Sequence, residues 1–257
     1  MYDKFASQYD FFVNWNSRLA FEMPFLQEQL ALLGGSPEQH KVMDSACGTG
    51  QHAIALARLG YQVTGTDLFP QMVSLANTNA LAADVNIRFK TAGFGSIAPA
   101  FPGEQFDAVL CLGNSLPHVN SLGDLQRALE DFAAIMSPGA LLLLQQRNFD
   151  AVLRAKNRFM DPQTQISGEQ EWVFFRFYDF EPNGKIQFSV LSLTRKSGGA
   201  WESSLNSTLL LPILSADLQS ALELAGFEEL QFYGNMKGET FDPGTSGDLI
   251  SVARKHG

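Results

Sequence analysis

Three stretches of the sequence hold side chains whose types and spacing could do chemistry. In VMDSACGTGQHA, Gly48 and Gly50 follow a short apolar run, and Asp44 lies just before them. Glycines so placed let the backbone turn tightly and come close to a ligand. With Ala53 they satisfy the G-x-G-x-x-G/A pattern of dinucleotide sites, so a nicotinamide dinucleotide is a competing ligand. Asp44 opposes it, because a carboxylate at that strand end repels a pyrophosphate and suits the cationic end of an amino acid moiety. Asp67 closes the next run, YQVTGTD, where an acid can accept from a pair of ribose hydroxyls. In FDAVLCLGNSLPHV an apolar half gives way to Gly113, Asn114, Ser115, Pro117 and His118. In QQRNFD, Arg147 ends another apolar run. A planar guanidinium holds carboxylates bidentately, and an arginine at a strand end needs an anion, either a ligand's or that of a neighbour such as Asp150.

The elements that must position these groups follow from periodicity. Asn16 to Leu33 has helical spacing and stops at Gly34-Gly35. Lys41 to Ser45 reads as a strand, Gln51 to Leu59 as a helix, and YQVTGTD as a second strand. Pro70 opens a helix to Ala82. Val85 to Thr91 and Phe106 to Leu112 are the third and fourth strands, Leu122 to Met136 a helix, and Ala140 to Gln146 the fifth strand. This alternation predicts an α/β fold with a doubly wound, mostly parallel sheet whose ligands sit at the carboxyl ends of the strands. After Asn148 the pattern changes to three β-prone segments, Glu171 to Phe180, Lys185 to Arg195 and Trp201 to Leu211, separated by turn signals. A helix over Ser215 to Ala225 and strands Phe227 to Tyr233 and Leu249 to Arg254 then complete a seven-stranded sheet. The expected division is a core of residues 1–150 and 213–257 with an antiparallel β cap, residues 151–212, inserted over the active site.

The acidic strand ends with the D-x-A-C-G-T-G turn resemble the motifs of class I S-adenosylmethionine-dependent methyltransferases. That resemblance implies a Rossmann-like seven-stranded sheet whose last strand is antiparallel, and S-adenosyl-L-methionine as cofactor. It implies that the backbone of Ala46, Gly48 and Gly50 approaches the methionine part, that Asp67 binds ribose, and that Met72 packs on adenine. Leu68 and Leu112 join these as cofactor contacts. At the end of the third strand, where the family commonly has an acidic or amide residue for the adenine amino group, KTAGFGS offers Gly93, leaving recognition to backbone groups and to the ring of Phe94.

Within the superfamily, FDAVLCLGNSLPHV, QQRNFD and Asn16-Ser17-Arg18 are most similar to the glycine N-methyltransferase and glycine-sarcosine methyltransferase group. Carried over, Arg147 grips a substrate carboxylate, Asn114 hydrogen-bonds the substrate, and Arg18 pairs with the cofactor carboxylate. His118 invites a base role from its free pKa, yet methyl transfer to an amine needs chiefly a lone pair held in line, so a neighbour of the cofactor is the better reading. The group uses tyrosines around its substrate, whereas WVFFRFYDF offers chiefly Phe and Trp and Phe149 follows Arg147-Asn148. Such a lining favours a larger or more apolar acceptor than glycine.

Composition bounds these readings. The 257 residues carry 18 Lys+Arg against 27 Asp+Glu, a net charge of -9, which disfavours nucleic acid or an anionic membrane as partner. Cys47 and Cys111 are not a spaced pair, so reduced thiols are expected and no metal site. The first ten residues lack a leader pattern, and no run nears the roughly 20 apolar residues of a membrane span, which points to a cytoplasmic protein with a small-molecule substrate. The related group is often oligomeric through its N-terminal segment, which leaves a homo-oligomer open. An amino-sugar or small-metabolite N/O-methyltransferase, and a non-catalytic cofactor-binding module, are the alternatives.

Overall fold

The computed structural model describes residues 13–257. The N-terminal segment linked above to oligomerisation lies outside the described residues. Helix α1 (Trp15–Ala31) is capped by Asn14, whose side chain accepts from the Ser17 amide at 3.1 Å. There follow β1 (Lys41–Ser45), α2 (Gln51–Arg58), β2 (Gln62–Asp67), α3 (Pro70–Ala82), β3 (Arg88–Thr91), the short α4 (Ile97–Ala100) and β4 (Phe106–Cys111). A 3-10 turn at Leu116–His118 leads to α5 (Leu122–Ala134), β5 (Met136–Arg147) and α6 (Phe149–Ala155). Four strands come next, β6 (Gln163–Ser167), β7 (Gln170–Phe180), β8 (Ile186–Lys196) and β9 (Glu202–Leu210). Then α7 (Ser215–Leu224), β10 (Phe227–Tyr233) and β11 (Asp248–Lys255) close the chain.

The main sheet has the order β10-β11-β5-β4-β1-β2-β3. Strands β1 to β5 run parallel, and β11 is antiparallel to both β5 and β10. Alternation along each central strand feeds two cores on opposite faces. From β5, Leu142 and Leu144 join Leu129 and Phe132 of α5 and Leu222 of α7, whereas Leu141 and Leu143 join Leu26 and Leu30 of α1 and Ile54 of α2. A sheet covered on both faces leaves its strand ends as the place for a ligand.

The second sheet is antiparallel, in the order β6-β7-β8-β9. It is fastened to the main body by Phe149 of α6, fully buried with Tyr178, Ile186 and Leu210, and by the Leu211 amide donating to the Pro117 carbonyl at 2.8 Å.

Four departures from the sequence reading have local causes. Strand β3 starts at Arg88 rather than Val85, because the Val85 amide still bonds the Ala80 carbonyl as the chain wraps the end of α3 through Asp84 in the left-handed region. Strand β5 starts at Met136, which pairs with Phe106 ahead of a register shift, so α5 stops at Ala134. The polar QTQIS, with no apolar alternation to announce it, pairs as edge strand β6. Helix α6 arises where Asn148 caps the Ala151 amide. Cys47 and Cys111 are both buried and free, and burial pushes both thiols up. Among the described residues no helix is long and apolar enough to cross a membrane, and no group of side chains could hold a metal ion.

Candidate active site

A cavity of about 470 Å³ opens at the carboxyl ends of β1 to β4, a size common for small-ligand pockets. Its floor is Ser45, Ala46 and Gly48 after β1 and Gly113 after β4. One wall is Asp67, Leu68 and Met72, the other Gly93, Phe94 and His118, and Thr208 of β9 borders it from the second sheet. Both strand ends bend through the left-handed region at residues that are not glycine, Ala46 with φ 57° and Asn114 with φ 66°. Such backbone is disfavoured for side chains with a Cβ and persists where the surroundings fix it, commonly at functional sites.

Asp67 ties the floor to the wall. Its Oδ2 accepts the Gly48 amide and its Oδ1 the Phe69 amide, both at 2.9 Å. Burial pushes this carboxyl above its usual range, and the amides of Phe69, Gly48 and Leu68 restrain the rise. Each oxygen keeps a lone pair for a further donor. Met72 is buried at the base of the wall, and Leu68 stands 61% exposed beside the cavity, its Cδ1 lying over Gly93. Phe94 is held edge-to-face on Phe132 with ring centroids 5.8 Å apart, so it presents an edge-anchored ring rather than a free one.

Asp44 is buried beneath the floor, and its Oδ2 has no hydrogen-bond partner among the described residues. Burial pushes its carboxyl up to about 6, while the charge of His52 and the Ala53 amide pull the other way. A buried, unpartnered carboxylate oxygen is costly unless something supplies a donor. Arg18 of α1 reaches over β4: a Cβ added at Gly113, itself at φ +74°, would lie 3.3 Å from Arg18 Nη2. His118 is half-buried, and desolvation pushes its imidazole down to about 4, which leaves it neutral near pH 7 and a weak base. Its Nδ1 faces Thr208 Oγ1 at 3.5 Å.

The sequence-derived set is thus brought to one sheet edge, but not every member borders the cavity. Gly50 faces Ala76 and Phe89, with its added Cβ 3.0 Å from each, so its lack of a side chain serves helix packing. The Leu112 side chain is in the core, and its carbonyl accepts from Ser115 Oγ at 2.8 Å. Asn114 joins the ends of two strands, its amide donating to the Gln145 carbonyl and its Oδ1 accepting the Arg147 amide at 2.9 Å. Arg147 pairs with Asp248 at the start of β11, Nη1 to Oδ1 2.7 Å, and not with Asp150, which accepts the Ser215 amide. Sequence reasoning missed Asp248, and also Tyr178 of β7, whose hydroxyl shares a hydrogen bond with the Arg147 side chain. Arg176 belongs to the same face of β7 as the buried Phe174 and Tyr178. A cation at an inward position of WVFFRFYDF was the signal for it. Trp172 and Phe174 pack on Val190 and Phe188 and do not line the described cavity.

A family described as "Methyltransferase domain" matches residues 42–140. A glycine/sarcosine N-methyltransferase of Aphanothece halophytica is 28% identical over 98% of this chain and 88% of its own. A solved S-adenosylmethionine-dependent methyltransferase from Clostridium acetobutylicum superposes with a TM-score of 0.80 over 100% of this chain and 99% of that one, at 14% identity. Residues 42–140 thus match a methyltransferase domain, and the chain has the fold of S-adenosylmethionine-dependent methyltransferases. An amino pentose methyltransferase from Micromonospora echinaspora shares the fold, with a TM-score of 0.71, 19% identity and coverage of 95% and 92%. The residues around the cavity fit S-adenosylmethionine as cofactor. Asp44 Oδ2 has no partner among the described residues and the Arg18 charge acts on the same carboxyl, so an anion and a cation are both at hand for a zwitterionic amino acid end, and Asp67 on the cavity wall suits a nucleoside.

Proposed function

We propose that this methyltransferase methylates the amine nitrogen of a small amino acid or related amine carboxylate. The observation that carries the reading is Arg147. It stands at the carboxyl end of β5 beside Asn114 and shares its guanidinium with Asp248 and the Tyr178 hydroxyl. The near full-length likeness to a glycine/sarcosine N-methyltransferase supports the acceptor class.

When bound, S-adenosylmethionine supplies an electrophilic methyl group. The chain's own residues then act by placement. Asp67 takes the ribose hydroxyls, Met72, Leu68 and Phe94 enclose the adenine beside Gly93, and Ala46, Gly48 and Leu112 offer backbone to the methionine part. Asp44 and Arg18 hold its ammonium and carboxylate. Arg147 holds the acceptor carboxylate and Asn114 the end nearest the amine. His118, neutral and half-buried, borders the cofactor and does not serve as the proton sink. Residues 151–212 form the cap, and the contact between Thr208 and His118 marks where it meets the core and excludes water. Positioning supplies most of the rate, since in-line attack by an unprotonated amine needs alignment above all.

Arg147→Ala tests the acceptor half. The apparent KM for an amino acid acceptor should rise roughly tenfold to hundredfold, the range expected for loss of a charge-assisted contact, with the dissociation constant of the demethylated cofactor unchanged. Equal losses for both ligands would argue against an acceptor clamp.

A further inference from the structure

Behind the cavity floor lies a polar cluster of which the roles above use only Arg18. Glu22 of α1 is 4% exposed. Its carboxylate accepts Arg18 Nε on both oxygens at 3.1 Å, His52 Nε2 on Oε2 at 2.7 Å, and Gln145 Nε2 on Oε1 at 3.2 Å. A carboxylate only accepts, so His52 must carry its proton on Nε2 and Gln145 must turn its amide nitrogen toward Glu22. The Gln145 Oε1 that this leaves accepts the Gly113 amide at 3.1 Å. Burial alone would push the Glu22 carboxyl up, but the His52 and Gln145 hydrogen bonds and the Arg18 charge hold it below the usual range.

The geometry fixes Arg18 as well. Its Nε is spent on Glu22 and its guanidinium carbon lies 5.1 Å from the centre of the Trp15 ring, so the Nη edge is the one left near Gly113. Trp15 in turn meets His52 edge-on at 5.5 Å. Helix α1, helix α2 and strand β5 therefore converge on one carboxylate, which sets both a guanidinium and a backbone turn at the end of β4.

We infer that Glu22 is the positioning residue of the cofactor's amino acid end: it aims the Arg18 guanidinium and, through Gln145, the Gly113 turn. The inference rests on the reading that Arg18 grips the cofactor carboxylate. Glu22 touches neither cofactor nor acceptor, and it contributes by lowering the cost of ordering a long arginine side chain at the moment of binding.

Glu22→Gln preserves shape but brings an NH2 group against donors already present. Binding by calorimetry should be compared for S-adenosylhomocysteine and for 5′-methylthioadenosine, which keeps the nucleoside and lacks the amino acid end. The expected result is a loss of about tenfold or more for S-adenosylhomocysteine with 5′-methylthioadenosine within about twofold of the unmodified protein. Gln145→Met, which removes the hydrogen bonds to Glu22 and Gly113 but leaves Arg18 and His52 on Glu22, should show the same selectivity to a smaller degree and serves if Glu22→Gln does not fold. Loss of both ligands in parallel would reduce Glu22 to a general structural role and overturn the inference. Arg18→Ala separates the clamp from its positioning. If it leaves S-adenosylhomocysteine binding intact, the clamp reading itself is wrong; if it weakens that binding and Glu22→Gln and Gln145→Met do not, only the positioning role fails.

Discussion

Asp67→Ala should weaken S-adenosylhomocysteine binding by at least about 100-fold in calorimetry, and should weaken 5′-methylthioadenosine to the same extent. The carboxylate holds the Gly48 and Phe69 amides at 2.9 Å each, and hydrogen bonds to a charged group contribute about 1.5–3 kcal/mol apiece. Removing it unties the turn after β1 from the wall after β2 and deletes the acceptor for the ribose. Both ligands carry that ribose, so neither escapes. This parallel loss is the counterpart of the selective loss expected on changing Glu22, and the two variants together map which half of the cofactor each acid serves. A drop confined to S-adenosylhomocysteine would remove Asp67 from the nucleoside half.

Asp44→Asn should cost S-adenosylhomocysteine affinity on the order of 100-fold at pH 7.5, because it strips the negative partner from a buried cation. The pH dependence follows with a definite sign. Burial raises the Asp44 carboxyl to about 6 in the free protein, and a bound ammonium favours the ionised form. Affinity should therefore fall as pH drops below about 6, approaching tenfold per pH unit, and the Asn variant should lack that fall. Stability of the free protein runs the other way. A carboxyl raised on folding contributes stability that is fully present at low pH and is lost as pH rises through about 6. At pH 7.5 the Asn variant should accordingly melt higher than the parent while binding worse. A flat affinity profile between pH 5 and 7.5 in the parent would contradict this assignment.

The architecture was legible because it rests on local signals. Apolar runs closed by Asp44, Asp67 and the Gly113 turn, with helices between them, fix the parallel sheet and its ligand edge. The boundaries at Pro70–Ala82 and Phe227–Tyr233 follow from an N1 proline and from a β-prone run after Gly226. What escaped is non-local. QTQIS has no apolar face and becomes a strand only because β7 offers an edge. Arg147 needs an anion, but nothing in QQRNFD says that the anion is Asp248, 101 residues away, rather than the nearby Asp150. The Glu22 cluster is hidden for the same reason, since Glu22 and Gln145 stand 123 residues apart, and each alone reads as a polar residue in an amphipathic helix or at a strand end. Long aromatic runs misled in the other direction, because Trp172 and Phe174 proved to be packing within the second sheet.

One assay addresses the identity of the acceptor. The purified protein is incubated with methyl-labelled S-adenosylmethionine and, separately, glycine, sarcosine, methylamine and an amino sugar, and the methylated products are identified by mass spectrometry. The prediction is label on the nitrogen of glycine or sarcosine, with methylamine, which has the amine but no carboxylate, slower by at least about tenfold in kcat/KM. Transfer to the amino sugar in preference to either amino acid, or equal turnover of glycine and methylamine, would contradict the role given to Arg147 and the proposed acceptor with it.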